Sequence, residues 1–130
     1  MLQFLYIYAM NHYLVECCAN TIHSAIDGKL GRANRVEFCT TLEVGGITPS
    51  REDIQKAKGL LNIPLHVLIR PKVGDFVHTG KEILQMMNDI QFCKKVGCNG
   101  IVIGLLNKDV SINKEQCKQL VFEIFTFQEA

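Results

Sequence analysis

The feature that most constrains this chain is a repeated alternation. A short run rich in β-branched and aromatic residues is followed by a polar or glycine loop, then by a stretch with apolar residues at helical spacing. The runs are Tyr13–Cys18 (YLVECC), Arg35–Cys39 (RVEFC), Pro64–Arg70 (PLHVLIR) and Gly100–Gly104 (GIVIG). The period is about thirty residues, the size of a strand–helix building block. Consecutive parallel strands need a crossover long enough to hold a helix, so this alternation predicts a parallel sheet flanked by helices. Periodicity alone leaves open whether that sheet is doubly wound or part of a barrel.

The helical stretches carry their own punctuation. Asn20 or Thr21 can cap a first helix running to about Lys29, with Ile22, Ala25 and Ile26 on one face and Gly31 as its stop. Thr48-Pro49 offers an opening for a second, with Ile54, Ala57, Leu60 and Leu61 as its apolar face. Pro71 and Gly74 break the third strand. Thr79 and Glu82 form a capping box ahead of a helix to about Val96, whose apolar positions are Ile83, Met86, Met87, Ile90 and Cys93, and Gly97 ends it. Asn113 with Gln116 is a further cap, before Leu120, Val121, Ile124 and Phe125.

Composition bounds the function classes. The chain has 130 residues, 48% apolar and 21% charged, which suits one globular domain. A net charge of +1, with no basic run, sets nucleic acid aside as a partner, since phosphate binding needs many cations. Six cysteines are too sparse for a disulfide scaffold, so a reducing, cytoplasmic setting is expected. The opening MLQFLYIYAMNHY has no basic leader and no small-residue cleavage site, and it is too short to span a bilayer. No membrane partner is therefore expected. Residues 1–12 read as an extension outside a domain at 13–130, with Met10 as a second possible start.

In parallel α/β proteins chemistry sits beyond the carboxyl ends of the strands. Side chains alternate along a strand, so Glu16 and Cys18 share a face, as do Glu37 and Cys39, and His66 and Arg70. One reading is a buried ion-pair layer of Glu16, Glu37, His66 and Arg70. Paired thiolates at Cys18 and Cys39 suit a soft ion such as Cu(I). Spacing alone favours two small buried side chains. No C-x-x-C or H-x₃-H points to zinc. Cys93 and Cys98 straddle a helix end and read as core filler. Gly45-Gly46, ahead of a helix, either serves a turn or presents amides to an anion.

Taken together, these segments resemble the copper homeostasis protein CutC family. ECCAN is similar to that family's E-V-C-A-N, NRVEFC to D-R-V-E-L-C, and GGITPS to G-G-T-T-P-S. HVLIRPKVGDF is close to H-V-M-I-R-P-R-x-G-D-F, and NGIVIG to D-G-V-V-F-G. The resemblance runs in register from about Tyr13 onward. It implies a TIM-type (β/α)8 barrel, a cytoplasmic location, an association with copper, and Cys18 and Cys39 at the positions of the family's copper-binding cysteines. Arg32 stands where a glycine is usual, Val44 where a glutamate is, Lys72 where an arginine is, and Asn34 and Asn99 where aspartates are.

An eight-unit barrel takes about 250 residues, so four units correspond to its N-terminal half. The expected consequence is a truncated barrel with open edges at its first and fourth strands, marginal alone or completed by a homo-oligomeric partner. The leading functional expectation is a protein that binds Cu(I) through Cys18 and Cys39, with His66 assisting from deeper in the barrel. The alternatives are an enzyme acting on a small anionic substrate, or an inactive fragment. In the enzyme, Arg70 and the Gly45 and Gly46 amides would hold the anion, and Glu16 or Glu37 would serve as acid or base. Catalysis is expected less than its absence.

Overall fold

The computed structural model describes residues 13–125. The expected extension at 1–12 lies outside the described residues. Four strands form, β1 (Glu16–Ala19), β2 (Arg35–Phe38), β3 (Leu65–Leu68) and β4 (Gly100–Val102). Four helices alternate with them, α1 (Ile22–Leu30), α2 (Arg51–Leu60), α3 (Gly80–Val96) and α4 (Lys114–Phe125), and a 3₁₀ turn spans Leu42–Val44. The strands are shorter than their apolar runs. Tyr13, Leu14 and Val15 precede β1 and are exposed, so the first run is only half used.

All pairings are parallel and the order is β1-β2-β3-β4. A doubly wound sheet reverses direction at a switch point, whereas a barrel adds each strand beside the last. These four follow the second rule. Among the described residues β1 and β4 each pair with a single strand, so both outer edges are open.

The core lies between the sheet and the helices. Ala19, Val36, Phe38, Leu65, Val67 and Ile69 point one way and meet Ala25, Ile54, Ala57, Ile83, Met86, Ile90 and Leu120 from the helices. Most of the expected apolar faces take part. Leu60 and Val121 do not. Both are exposed, because Leu61 and Leu120 beside them occupy the inward positions.

Caps explain where the helices start. Thr21, not Asn20, caps α1 in a reciprocal box with Ser24. Thr79 and Glu82 form the expected box at α3, and Asn113 Oδ1 accepts the Gln116 N–H at 3.0 Å. The second helix begins later than Thr48-Pro49 suggests. Ser50 caps it, accepting the Asp53 N–H, while Thr48 Oγ1 accepts the Arg70 N–H at 2.8 Å and ties this loop to the end of β3. After α1 the left-handed residue is Arg32 (φ +67°), not Gly31 (φ −73°). A side chain thus occupies a conformation that glycine adopts freely.

Candidate functional site

Strand alternation and register decide which side chains meet on the face turned away from the helices. Glu16 is opposite Arg35, Cys18 opposite Glu37, Glu37 opposite His66, and His66 opposite Gly100. Cys17 and Cys18, adjacent in sequence, are separated by the sheet. Cys17 packs towards α1, where a Cβ at Gly28 would lie 2.6 Å from its Sγ. Cys18 faces the open side and is exposed.

Cys18 and Cys39 meet there. Their thiols lie within reach of each other, so that each perturbs the other. Cys39 is buried, roofed by the loop after β2. Gly46 makes that roof possible. A Cβ there would lie 2.9 Å from Leu68 Cδ2 and 3.3 Å from Cys39 Sγ, and its φ of +85° favours glycine independently. Thr41, in the same loop, also holds a positive φ of 54°. Such backbone strain concentrates at functional sites.

The charges around the pair are negative. Burial first, then the Glu37 carboxylate, raises the Cys18 thiol above its ordinary value, against the neighbouring Cys39 thiol. Burial, Cys18 and Glu37 push Cys39 up to about 11. Glu37 is itself raised, first by burial and then by the neighbouring Glu16 carboxylate. Glu16 also pairs with Arg35, and His66 Nδ1 lies 3.9 Å from Glu16 Oε2. The His66 ring lies over β4, 2.9 Å from where a Cβ at Gly100 would sit.

The expected layer forms but is not buried, since Glu16 is exposed and Arg35, Glu37 and His66 are half-buried on the open face, and its membership changes. Arg35 belongs to it and Arg70 does not. Arg70 is buried at the rim, donating to the carbonyls of Val44 (3.1 Å), Gly46 (2.8 Å) and Gly74 (2.6 Å), with its guanidinium over Phe76. Its Nε is buried and has no protein partner. The amides of Gly45 and Gly46 are likewise engaged, by Leu42 O and Thr41 O. These groups build the loop that covers Cys39, and none offers an exposed donor to an anion. Strand alternation was signal enough to add Arg35, since it shares parity with Glu37 and Cys39.

The asparagines that depart from the family pattern sit at the other end of the sheet. Asn34 Oδ1 accepts the Val15 N–H at 2.7 Å, and Asn99 Oδ1 accepts the Leu65 N–H at 3.0 Å. Each joins the start of one strand to the start of the one before it. They take no part in the thiol site.

A singly wound parallel sheet with one helical layer outside and a thiol pair at its carboxyl rim defines part of a β/α barrel with a candidate soft-metal site. The CutC family model matches residues 13–126, and the chain belongs to that family. It is 41% identical over 113 residues to the human copper homeostasis protein cutC homolog, covering 87% of this chain and 41% of that protein. It is 40% identical over 107 residues to the family protein CutC of Chromobacterium violaceum, covering 82% of this chain and 43% of the relative. A crystal structure of a CutC protein from Streptococcus agalactiae superposes with a TM-score of 0.76 at 33% identity, over 85% of this chain and 54% of the other. The chain thus spans less than half the length of these two curated relatives, and the resemblance to an N-terminal half-barrel holds.

Proposed function

We propose that this chain handles Cu(I) as cargo, held between the sulfur atoms of Cys18 and Cys39. The observation that carries the reading is the contact between these thiols, one exposed and one buried, on adjacent strand ends. Thiolates favour soft and borderline metals, Cu(I) and Zn²⁺ among them. Among the described residues no group of three or more His, Cys, Asp or Glu is arranged to hold a metal. A two-sulfur donor set suits Cu(I), which accepts two ligands, better than Zn²⁺, which takes four in structural sites. Cys18 faces solvent and supplies the entry contact. Cys39, locked under Gly46, supplies the fixed one. The carboxylates of Glu16 and Glu37 favour a cation nearby, and both thiols must release their protons to bind it.

The names of the relatives support the assignment to copper, and the free state of all six cysteines supports a reducing, cytoplasmic setting. No helix among the described residues is long and apolar enough to cross a membrane. The open edges of β1 and β4 support completion of the sheet by further strands or by a second copy.

Titration with Cu(I) against a chromophoric Cu(I) chelator tests the proposal. The native chain is expected to take one ion. Cys18→Ser with Cys39→Ser is expected to weaken binding about 100-fold or more, beyond what loss of an outer-shell partner costs. Unchanged affinity in that double variant overturns the assignment.

A further inference from the structure

We propose that Cys93 and Cys98 form a second, redox-active thiol pair that closes to an intramolecular disulfide by exchange with a small soluble disulfide such as glutathione disulfide.

The geometry comes from the end of α3. Gly97 takes φ +88°, its N–H donates to Lys94 O at 3.0 Å, and the Cys98 N–H donates to Cys93 O at 2.9 Å. This paired arrangement turns the residue after the left-handed glycine back onto the last turn of the helix, where an apolar contact normally forms. Here the two side chains brought together are thiols, within reach of each other, so that each perturbs the other. Cys93 is buried and Cys98 partly exposed.

The surroundings divide the roles. Lys58 Nζ donates to Asn99 Oδ1 at 3.0 Å, and its Cε lies 3.9 Å from where a Cβ at Gly97 would sit. The ammonium is thereby held beside the Cys98 backbone. The Cys93 thiol and the Lys58 charge lower the Cys98 thiol against its burial, while Cys98, burial and the Asp89 charge raise Cys93 against Arg51. Arg51 is itself paired with Asp89 at 3.6 Å. A low-pKa accessible cysteine beside a resolving one is the arrangement of redox-sensing thiols.

The Cys98 thiolate attacks one sulfur of the small disulfide, forms a mixed disulfide and expels one thiolate. Cys93 then loses its proton and attacks Cys98 Sγ, forming the Cys93–Cys98 bond and expelling the second thiolate. The protein dithiol loses two electrons and two protons, and the small disulfide becomes two thiols.

The test treats the native chain with glutathione disulfide at about pH 7.5. Remaining thiols are alkylated and the chain is cut with trypsin. Lys94 and Lys95 lie between the two cysteines, so the expected disulfide holds two tryptic peptides together. Cys93→Ser is expected to stop at one glutathione on Cys98. Lys58→Gln is expected to slow reaction at Cys98 roughly 3- to 10-fold, and Lys58→Arg to restore it. The proposal is overturned if glutathione enters at Cys18 or Cys117 ahead of Cys98. It is equally overturned if Cys98 of the native chain reacts no faster than in the denatured chain.

Discussion

The two thiol pairs of this molecule have the same composition and opposite surroundings. Cys18 and Cys39 meet at the carboxyl rim of the sheet among carboxylates, and both thiols are raised. Cys93 and Cys98 meet at the amino end of β4 beside a lysine, and one thiol is raised while the other is lowered. Two protonated thiols near negative charge are slow nucleophiles but a waiting place for a soft cation that displaces their protons. A pair in which one thiol is lowered and its neighbour raised has an attacking and a resolving member, as exchange chemistry requires. At the rim pair the neighbouring carboxylates add to burial, whereas in the second pair the interaction of the two sulfurs is the largest influence and Lys58 adds to it.

The largest test of this contrast is the pH dependence of Cu(I) affinity. Cys39 sits near 11 and Cys18 above its ordinary value, so both are protonated between about pH 6 and 8. Binding must release two protons, and affinity should rise with pH by about 100-fold per unit. Chelator competition across that range measures the slope, and affinity that fails to rise with pH would remove Cys18 and Cys39 as the ligands.

A smaller effect separates the glycines that position the pairs. Gly46 and Gly97 both hold left-handed backbone, at φ +85° and +88°. An alanine side chain at Gly46 meets Leu68 and Cys39, whereas at Gly97 the nearest atom is the flexible end of Lys58 at 3.9 Å. Gly46→Ala should destabilise the chain by about 2–4 kcal/mol and weaken Cu(I) binding. Gly97→Ala should cost only the backbone term of about 1–2 kcal/mol. Urea unfolding measures both, and equal losses would mean that the loop over Cys39 is not tightly packed.

The smallest effect concerns one carboxylate. Glu37→Gln removes a negative charge that raises both Cys18 and Cys39. Alkylation of Cys18 at about pH 8 should then quicken roughly 3- to 10-fold, with no change at Cys98. A parallel change at both cysteines would show that the charges act on the whole fold and not on one pair.

Much of this was legible in the residues. The alternation of apolar runs gave the parallel sheet, and the Thr79–Glu82 and Asn113–Gln116 signatures placed two helix starts, because capping is a local hydrogen-bond requirement. Strand parity placed Glu16, Cys18, Glu37, Cys39 and His66 on one face. Parity could not show that Arg70 turns into the rim and donates to three carbonyls, since those carbonyls belong to loops whose path is not periodic. Nor could spacing show that Cys93 and Cys98 touch, which depends on a left-handed turn at Gly97 bending the chain back.

By itself, then, the sequence determined the order of elements, the side of the sheet on which each strand residue falls, and four of the helix ends. These follow from interactions within a few residues, which spacing encodes directly. Tertiary structure alone decided that the strands wind in one direction, that Leu61 and not Leu60 enters the core, and that carboxylates stand beside one thiol pair and a lysine beside a member of the other. Electrostatic fields and packing are set by groups distant along the chain, here Lys58 against Cys98 and Glu37 against Cys18, and only folding brings them together.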